Sequence, residues 1–251
     1  MNGSDHSSVP DHHLSPEVAA VYDVAHADSF DDAHVAPAVS FLADLAGDGP
    51  VVEFAVGTGR LALPLSEVVS ATYGLDFSEP MLARLRAKVG SERISITHGD
   101  MTTTRVCADA SLVYLAFNTI ENLKTQQLQV LCFQNAAEHL ATGGRFVIET
   151  GVPKLHRLPA GETMIPFDVS PHHLGFEEYV DLVNQISISH HYYIDGDRVR
   201  VGSPSFRYVW PSELDLMAMV AGLTLENRWA DWDRTDFTGS SPSHVSVWRK
   251  P

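Results

Sequence analysis

The chain has 251 residues, 44% hydrophobic and 9% aromatic, enough for one large α/β core with an elaborate insert at most. Its 17 Lys and Arg stand against 32 Asp and Glu. The resulting formal net charge of −15 repels phosphate backbones and anionic lipid, and no basic run compensates locally, so nucleic acid and membrane surfaces are poor partners. No apolar run approaches the length of a membrane span, and the opening MNGSDHSSVPDHHLSPE carries no apolar leader core, so the cytoplasm is the expected compartment.

Residues 1–13 are polar and contain proline, the composition of a disordered tail. Ser15 then caps a helix through PEVAAVYDVAHA, and VAPAVSFLADLAG forms a second one stopped by Gly47 and Gly49. VVEFA reads as a strand, GRLALPLSE as a helix, SATYGLD as a strand, and SEPMLARLRAKVG as a helix between Ser78 and Gly90. RISITHGD, ASLVYLAFN, the helix TQQLQVLCFQNAAEHLA and the strand GGRFVIET continue the alternation. Strands apolar on both faces and separated by helices imply a doubly wound parallel sheet, which binds ligands beyond the carboxyl ends of its strands.

After Thr150 the alternation stops. GVPKLHRLPAGETMIPFDVSPHHLG is expected to be irregular, and YVDLVNQISISHHYYIDGDRVRVGSPSFRYVW alternates like a hairpin turned at Asp195-Gly196, with room for a third strand after Ser203. This antiparallel material, residues 151–210, reads as an insert lying over the ligand edge of a single domain that spans 14–251. The helix PSELDLMAMVAGL and the strands TLENRWADW and SHVSVWRK close the chain.

The turn after VVEFA carries Ala55, Gly57 and Gly59. Small residues there either tighten a strand-to-helix connection or let a ligand approach helix N–H groups. Asp76 ends the second strand, 17 residues after Gly59, where an acid faces the first turn and accepts hydrogen bonds from ribose hydroxyls. Ala62 could complete a dinucleotide pattern with the two glycines. Against that, Glu53 sits just before the turn, where a carboxylate helps no pyrophosphate but suits a sulfonium cofactor bearing an α-amino group.

VVEFAVGTGRLALPLSE, YGLDFSEPMLARLRAK, THGDMTT, LVYLAFNTI and HLATGGRFVIET, in that order, resemble the class I S-adenosylmethionine-dependent methyltransferases, near the small-molecule enzymes of actinobacteria. The resemblance runs from Leu14 to Thr150 and, in outline, through the last helix and strands. It implies a Rossmann-like doubly wound sheet with an antiparallel β insert or lid after the fifth strand, and methylation of O or N on a secondary metabolite. It further implies that Glu53, Ala55, Gly57 and Gly59 cradle the methionine end of S-adenosylmethionine and that Asp76 holds the ribose diol. Phe77 and Met81 pack near the adenine, Asp100 and Met101 meet its edge and face, Ala116 and Phe117 offer carbonyls to the amino group, and Tyr22 closes over the cofactor. The family pattern has glycine where Ala55 stands, a change tolerated if its φ is negative.

Methyl transfer needs alignment, and needs a base only where the nucleophile starts protonated. Glu121 could bind a substrate amine or act as base, or simply cap a helix start. Glu149 ends the fifth strand at the sheet edge, and Asn118 could orient substrate. His190 and His191 point to opposite faces of one strand, so one of them, or one of Tyr192 and Tyr193, faces the site. Arg207 with Tyr208 and Trp210 could line a pocket, but the default reading of such an alternating stripe is the buried and rim faces of a strand. The His pairs after Asp11 and Pro171 read as solvated, no metal is expected, and Cys107 and Cys132 read as buried thiols. Two rival readings are a nicotinamide-dependent oxidoreductase and a methyltransferase-fold protein that binds cofactor without methylating. A homodimer is compatible with the sequence but not required by it.

Overall fold

The computed structural model describes residues 15–251; the polar segment 1–13 lies outside them. Five parallel strands form the centre of the main sheet: β1 (Val51–Phe54), β2 (Thr72–Asp76), β3 (Ile94–His98), β4 (Ala110–Leu115) and β5 (Leu140–Gly151). Two late strands, β11 (Thr224–Trp229) and β12 (Ser243–Arg249), complete it in the order β11-β12-β5-β4-β1-β2-β3, with β12 antiparallel to both neighbours. Chain order reverses between β1 and β4, so their carboxyl ends form the crevice where such sheets take ligands.

Both faces of the sheet are covered. On one side α2 (Asp32–Ala46) and α3 (Ala62–Leu65) pack Phe41, Leu42 and Leu65 against Leu112 and Val147. On the other, α5 (Gln126–His139) and α6 (Pro211–Val220) enclose a core in which Phe133 meets the edges of Phe146 and Trp248, with centroids 5.0 and 5.2 Å apart. Cys132 is fully buried there, whereas Cys107 is only half-buried, so the expectation of two buried thiols holds for one. Among the described residues no helix is long and apolar enough to cross a membrane.

The helix expected over GRLALPLSE shrinks to the four residues of α3. The Ser66 hydroxyl donates to the Leu63 carbonyl (2.7 Å) and gives that segment an alternative to helical bonding. In contrast α1 (Pro16–Ala25) and α4 (Glu79–Arg86) start where expected, with Ser15 Oγ accepting from Val18 N and Ser78 Oγ from Met81 N.

The insert is more regular than its sequence suggests. It forms a second, antiparallel sheet from β6 (Met164–Val169), β7 (His173–Asp181), β8 (Ile186–Asp195), β9 (Arg198–Gly202) and β10 (Ser205–Arg207), ordered β10-β8-β7-β6 with β9 also on β8. The β8–β9 turn falls at Asp195-Gly196 as expected. β6 lies within the stretch expected to be irregular; Pro166 interrupts its pattern, but β6 is an edge strand and carries a register shift between Pro166 and Asp168, where proline is tolerated. The β7–β8 turn has neither Gly nor Pro. Asp181 Oδ1 instead accepts from Val183 N and Asn184 N, and Gln185 takes a φ of 61°.

Candidate functional site

Between the crevice of the main sheet and one face of the insert sheet lies a cavity of about 1560 Å³, walled at one end by α1. Its first wall is the β1–α3 turn. Ala55, Gly57 and Gly59 all have positive φ, at 53°, 54° and 85°. The condition set for Ala55, a negative φ, is therefore not met: alanine occupies the left-handed conformation glycine would supply, so the path of the turn is kept at a strain of about 1–2 kcal/mol. The two glycines differ in purpose. A Cβ on Gly59 would lie 2.4 Å from Leu85 Cδ1, so its smallness serves the packing of α4. A Cβ on Gly57 would meet nothing nearer than the Ala55 carbonyl at 4.0 Å, and Gly57 faces the cavity. The room at Gly57 is room for a ligand.

Asp76 ties this turn to the end of β2, accepting from Gly57 N and Ser78 N, each at 2.7 Å, while still facing the cavity. Burial pushes its carboxyl up, against the pull of those N–H groups. Next to it Phe77 is 59% exposed on the cavity wall, an apolar plate whose ring lies 6.1 Å from that of His98, and buried Met81 lines the same wall. Asp100 and Met101 also reach the cavity, with Asp100 Oδ1 held by the N–H and hydroxyl of Thr102. Tyr22, on α1, lines the wall and packs on His26 at 4.6 Å. α1 is latched to the turn: Asp23 accepts from Thr58 Oγ1 (2.5 Å) and pairs with Lys88 (2.6 Å).

Other expected residues lie off the cavity or are engaged by the protein at its edge. Glu53 sits beneath the turn, bonded to the Tyr114 hydroxyl at 2.8 Å, and burial pushes its carboxyl up to about 8. The Ala116 carbonyl is taken by the Thr119 hydroxyl (2.7 Å), so only Phe117 of that pair faces the cavity. Glu149 spends both oxygens on Phe117 N and Trp232 Nε1, each at 2.9 Å, bracing the left-handed pair Phe117 and Asn118. Asn118 lines the cavity but gives its Oδ1 to Gly151 N. Arg207 is buried against Glu213, Gln129 and Gln185, a structural cluster. His190 and Tyr192 occupy the outer face of β8, where His190 contacts Glu178 and Ser203 and Tyr192 packs near Phe176.

His191 and Tyr193 occupy the inner face of β8. Opposite them, on the inner face of β7, are His173, Glu177 and Tyr179. Glu121 reaches the same space from the main sheet, bonded to Thr150 Oγ1 at 3.0 Å. Burial, with a smaller push from the charge of Glu177, raises its carboxyl to about 8 against the opposing Thr150 hydrogen bond and Lys154. Glu177 and His173 escape the sequence reading because the sequence puts the start of β7 in a loop after Pro171, and Asp168 because β6 lies in the stretch expected to be irregular. Once β7 begins at His173, the period-two spacing of His173, Gly175, Glu177 and Tyr179 places all four on one face. His173 is therefore not the solvated loop residue its sequence context suggests. Among the described residues no His, Cys, Asp and Glu cluster is arranged to hold a metal ion.

Comparison with known proteins decides what binds here. Residues 51–144 match the family described as a methyltransferase domain. The CcbJ methyltransferase of Streptomyces caelestis shares 36% identity, with a TM-score of 0.76 over 86% of this chain and 94% of that one. The chain belongs to the S-adenosylmethionine-dependent methyltransferases. CalS10, described as an amino pentose methyltransferase from Micromonospora echinaspora with S-adenosylmethionine bound, shares the fold at a TM-score of 0.73 and 18% identity, over 92% of this chain and 97% of that one. A curated relative, the dTDP-3-amino-3,4,6-trideoxy-alpha-D-glucopyranose N,N-dimethyltransferase of Streptomyces venezuelae, is 29% identical over 140 residues, which are 51% of this methyltransferase and 58% of that protein. The methyltransferase thus matches little more than half the length of that relative.

The cofactor of the methyltransferase is S-adenosylmethionine, and the nicotinamide reading is set aside. The residues fit it: an open cradle at Gly57, a carboxylate at the end of β2 and an exposed aromatic plate at Phe77.

Proposed function

We propose that this methyltransferase methylates the amine of a small metabolite, with Glu121 and Glu177 as the amine anchor. What carries the reading is their placement, two carboxylates facing one cavity from different sheets, Glu121 raised by burial and by its neighbour. A site built for a neutral hydroxyl gains nothing from that repulsion, whereas an ammonium relieves it. The activities of the amino-sugar relatives agree with it.

For the cofactor, Asp76 holds the ribose diol, Phe77, Met81, Asp100 and Met101 enclose the adenine, and the Ala55–Gly57 turn receives the methionine end. Tyr22 and α1 cover it. When bound, S-adenosylmethionine supplies a methyl group whose C–S bonding pair leaves with sulfur as the acceptor's lone pair arrives. Alignment supplies much of the acceleration, and the insert sheet excludes water from the acceptor side. An acidic protein acting on a small metabolite in the cytoplasm, away from nucleic acid and membrane, completes the proposal.

The test is a methylation panel of matched acceptors, glucosamine against glucose and their aryl glycosides. Methylation confined to the amines supports the reading, and methylation of the hydroxyl members alone refutes it. Glu121→Gln is expected to lower kcat/KM for an amine about 10- to 100-fold, the loss of one charged hydrogen bond, with cofactor affinity unchanged.

A further inference from the structure

We propose that Asp168, His173 and His191 form a proton relay that carries a proton from the acceptor, at His191 Nε2, away to His173. The proposal rests on the methyl-transfer reading of the same cavity and adds the base that reading leaves unnamed.

The chain of contacts is continuous across three strands. Asp168 Oδ2 on β6 lies 2.6 Å from His173 Nδ1, and His173 Nε2 on β7 lies 3.0 Å from His191 Nδ1 on β8. The two imidazole centres are 5.2 Å apart with planes at 22°. Rings whose nitrogens are 3.0 Å apart at that centre spacing have both nitrogens close to the line joining the centres. This is the geometry of an N–H···N bond in the ring planes, not of face-to-face stacking. Gly175, opposite His191 in the ladder, gives the arrangement its room: a Cβ there would lie 2.2 Å from Phe167 Cε2, and that ring packs on His191 at 5.3 Å. His173 is off the cavity and His191 is on it, so the relay has an inner and an outer end.

The hydrogen-bond chemistry fixes the direction. An ionised carboxylate only accepts, so His173 Nδ1 carries the proton shared with Asp168, and neutral His173 presents a lone pair at Nε2. His191 must then donate from Nδ1, leaving its own lone pair at Nε2, for which no protein partner exists among the described residues. When an acceptor ammonium meets that lone pair, its N–H bond breaks and the bonding pair stays on the amine nitrogen as the nucleophilic lone pair. The proton bonds to His191 Nε2, the Nδ1 proton of His191 moves to His173 Nε2, and the imidazolium formed on His173 faces the Asp168 carboxylate. Charge and protons balance without a co-reactant. Burial first, then the charges of His173, His26 and His190, pull the His191 imidazolium down to about 4, so the proton does not rest at the outer end. The other polar groups near the outer end are Tyr193, whose hydroxyl is 3.5 Å from His191 Nδ1, Arg200 on β9 against the Tyr193 ring, and Glu177 on β7. Among the described residues, only Asp168 pairs directly with His173 as a counter-charge. His191 is thus the catalytic residue, and His173 and Asp168 are positioning residues.

The test needs no acceptor. The full chain, labelled with 15N-histidine and saturated with S-adenosylhomocysteine, is titrated while long-range proton–nitrogen NMR spectra report which ring nitrogen carries each proton. The relay predicts protons on Nδ1 of both rings at high pH. On acidification a single transition follows, in which His173 becomes doubly protonated while His191 swaps its proton from Nδ1 to Nε2. Asp168→Asn keeps an acceptor for His173 but removes the charge, and the swap shifts to lower pH. A structural staple would leave the His191 tautomer constant. That constancy, or a proton on His191 Nε2 at high pH, overturns the relay, and since the wild-type chain alone decides this, a poorly folding variant does not blunt the test. A protein that shows the swap but methylates no amine refutes the amine proposal and sustains the relay.

Discussion

Ala55 is where one methyl group meets the cofactor turn. Its φ of 53° is left-handed, and the neighbouring Gly57 and Gly59 share that region without a Cβ. Ala55→Gly removes the strain but adds unfolded-chain entropy, which offsets part of the gain. The expected outcome is a stabilisation of roughly 0.5–1 kcal/mol, read as a small rise in Tm, with S-adenosylhomocysteine affinity changed less than twofold. A large fall in affinity would mean that the Ala55 methyl itself touches the cofactor. Beneath the turn Glu53 offers a second residue-scale test. Its carboxyl, at about 8 in the folded protein against 4.5 as the ordinary value, binds its proton more tightly when folded. Its contribution is therefore most favourable below pH 4.5 and is lost as pH rises through about 8. Glu53→Gln keeps an acceptor for the Tyr114 hydroxyl and removes that titration. Its stability relative to wild type is expected to improve steadily between pH 5 and 8, as denaturation midpoints across that range would show.

At the scale of elements, α1 is held over the cavity by one carboxylate. Burial tends to raise Asp23, but its bonds with Lys88 and Thr58 outweigh that and hold it below its ordinary value. The stabilisation is complete above the ordinary aspartate value and fades only as pH falls through the lowered one, so the latch stays shut at neutral pH. Both partners are about one-quarter exposed, which limits its worth to about 1 kcal/mol. Asp23→Ala is expected to weaken S-adenosylhomocysteine binding about fivefold by calorimetry with Tm nearly unchanged, and unaltered affinity would show that α1 does not cover the cofactor. The sequence disclosed these elements unevenly. Ser15, Ser78 and the helix-ending Gly47 act locally, within one turn of the residues they stop or start, and were readable. β6 and the β7–β8 turn were not, because Pro166 breaks the pattern of an edge strand and Asp181 makes a turn without glycine. The same difficulty hid the site: the period-two stripe from His173 to Tyr179 has meaning only once β7 is known to begin at His173. For Arg207 the strand-face reading holds, and only tertiary packing shows that Glu213 and Gln129 are the groups that claim it.

At the scale of the whole molecule, two sheets contribute one half-site each. The main sheet supplies the cofactor turn and Glu121; the insert supplies Glu177 and the histidine relay. Glu121, pushed up to about 8, holds a proton at pH 7 before an acceptor binds, and the nearby negative charge of Glu177 reinforces this. Arrival of an ammonium reverses the sign of the local field, so Glu121 is expected to ionise and release its proton to solvent. Binding of glucosamine to the S-adenosylhomocysteine complex at pH 7 should therefore release up to one proton. Calorimetry in buffers of different ionisation enthalpy measures that release as the slope of binding enthalpy against buffer enthalpy. The slope should vanish in Glu121→Gln, which has no proton to lose. Binding without proton release in the wild-type chain would place the amine away from Glu121, and the two sheets would then be recognising the acceptor by shape and aromatic contact rather than by the charge they bring together.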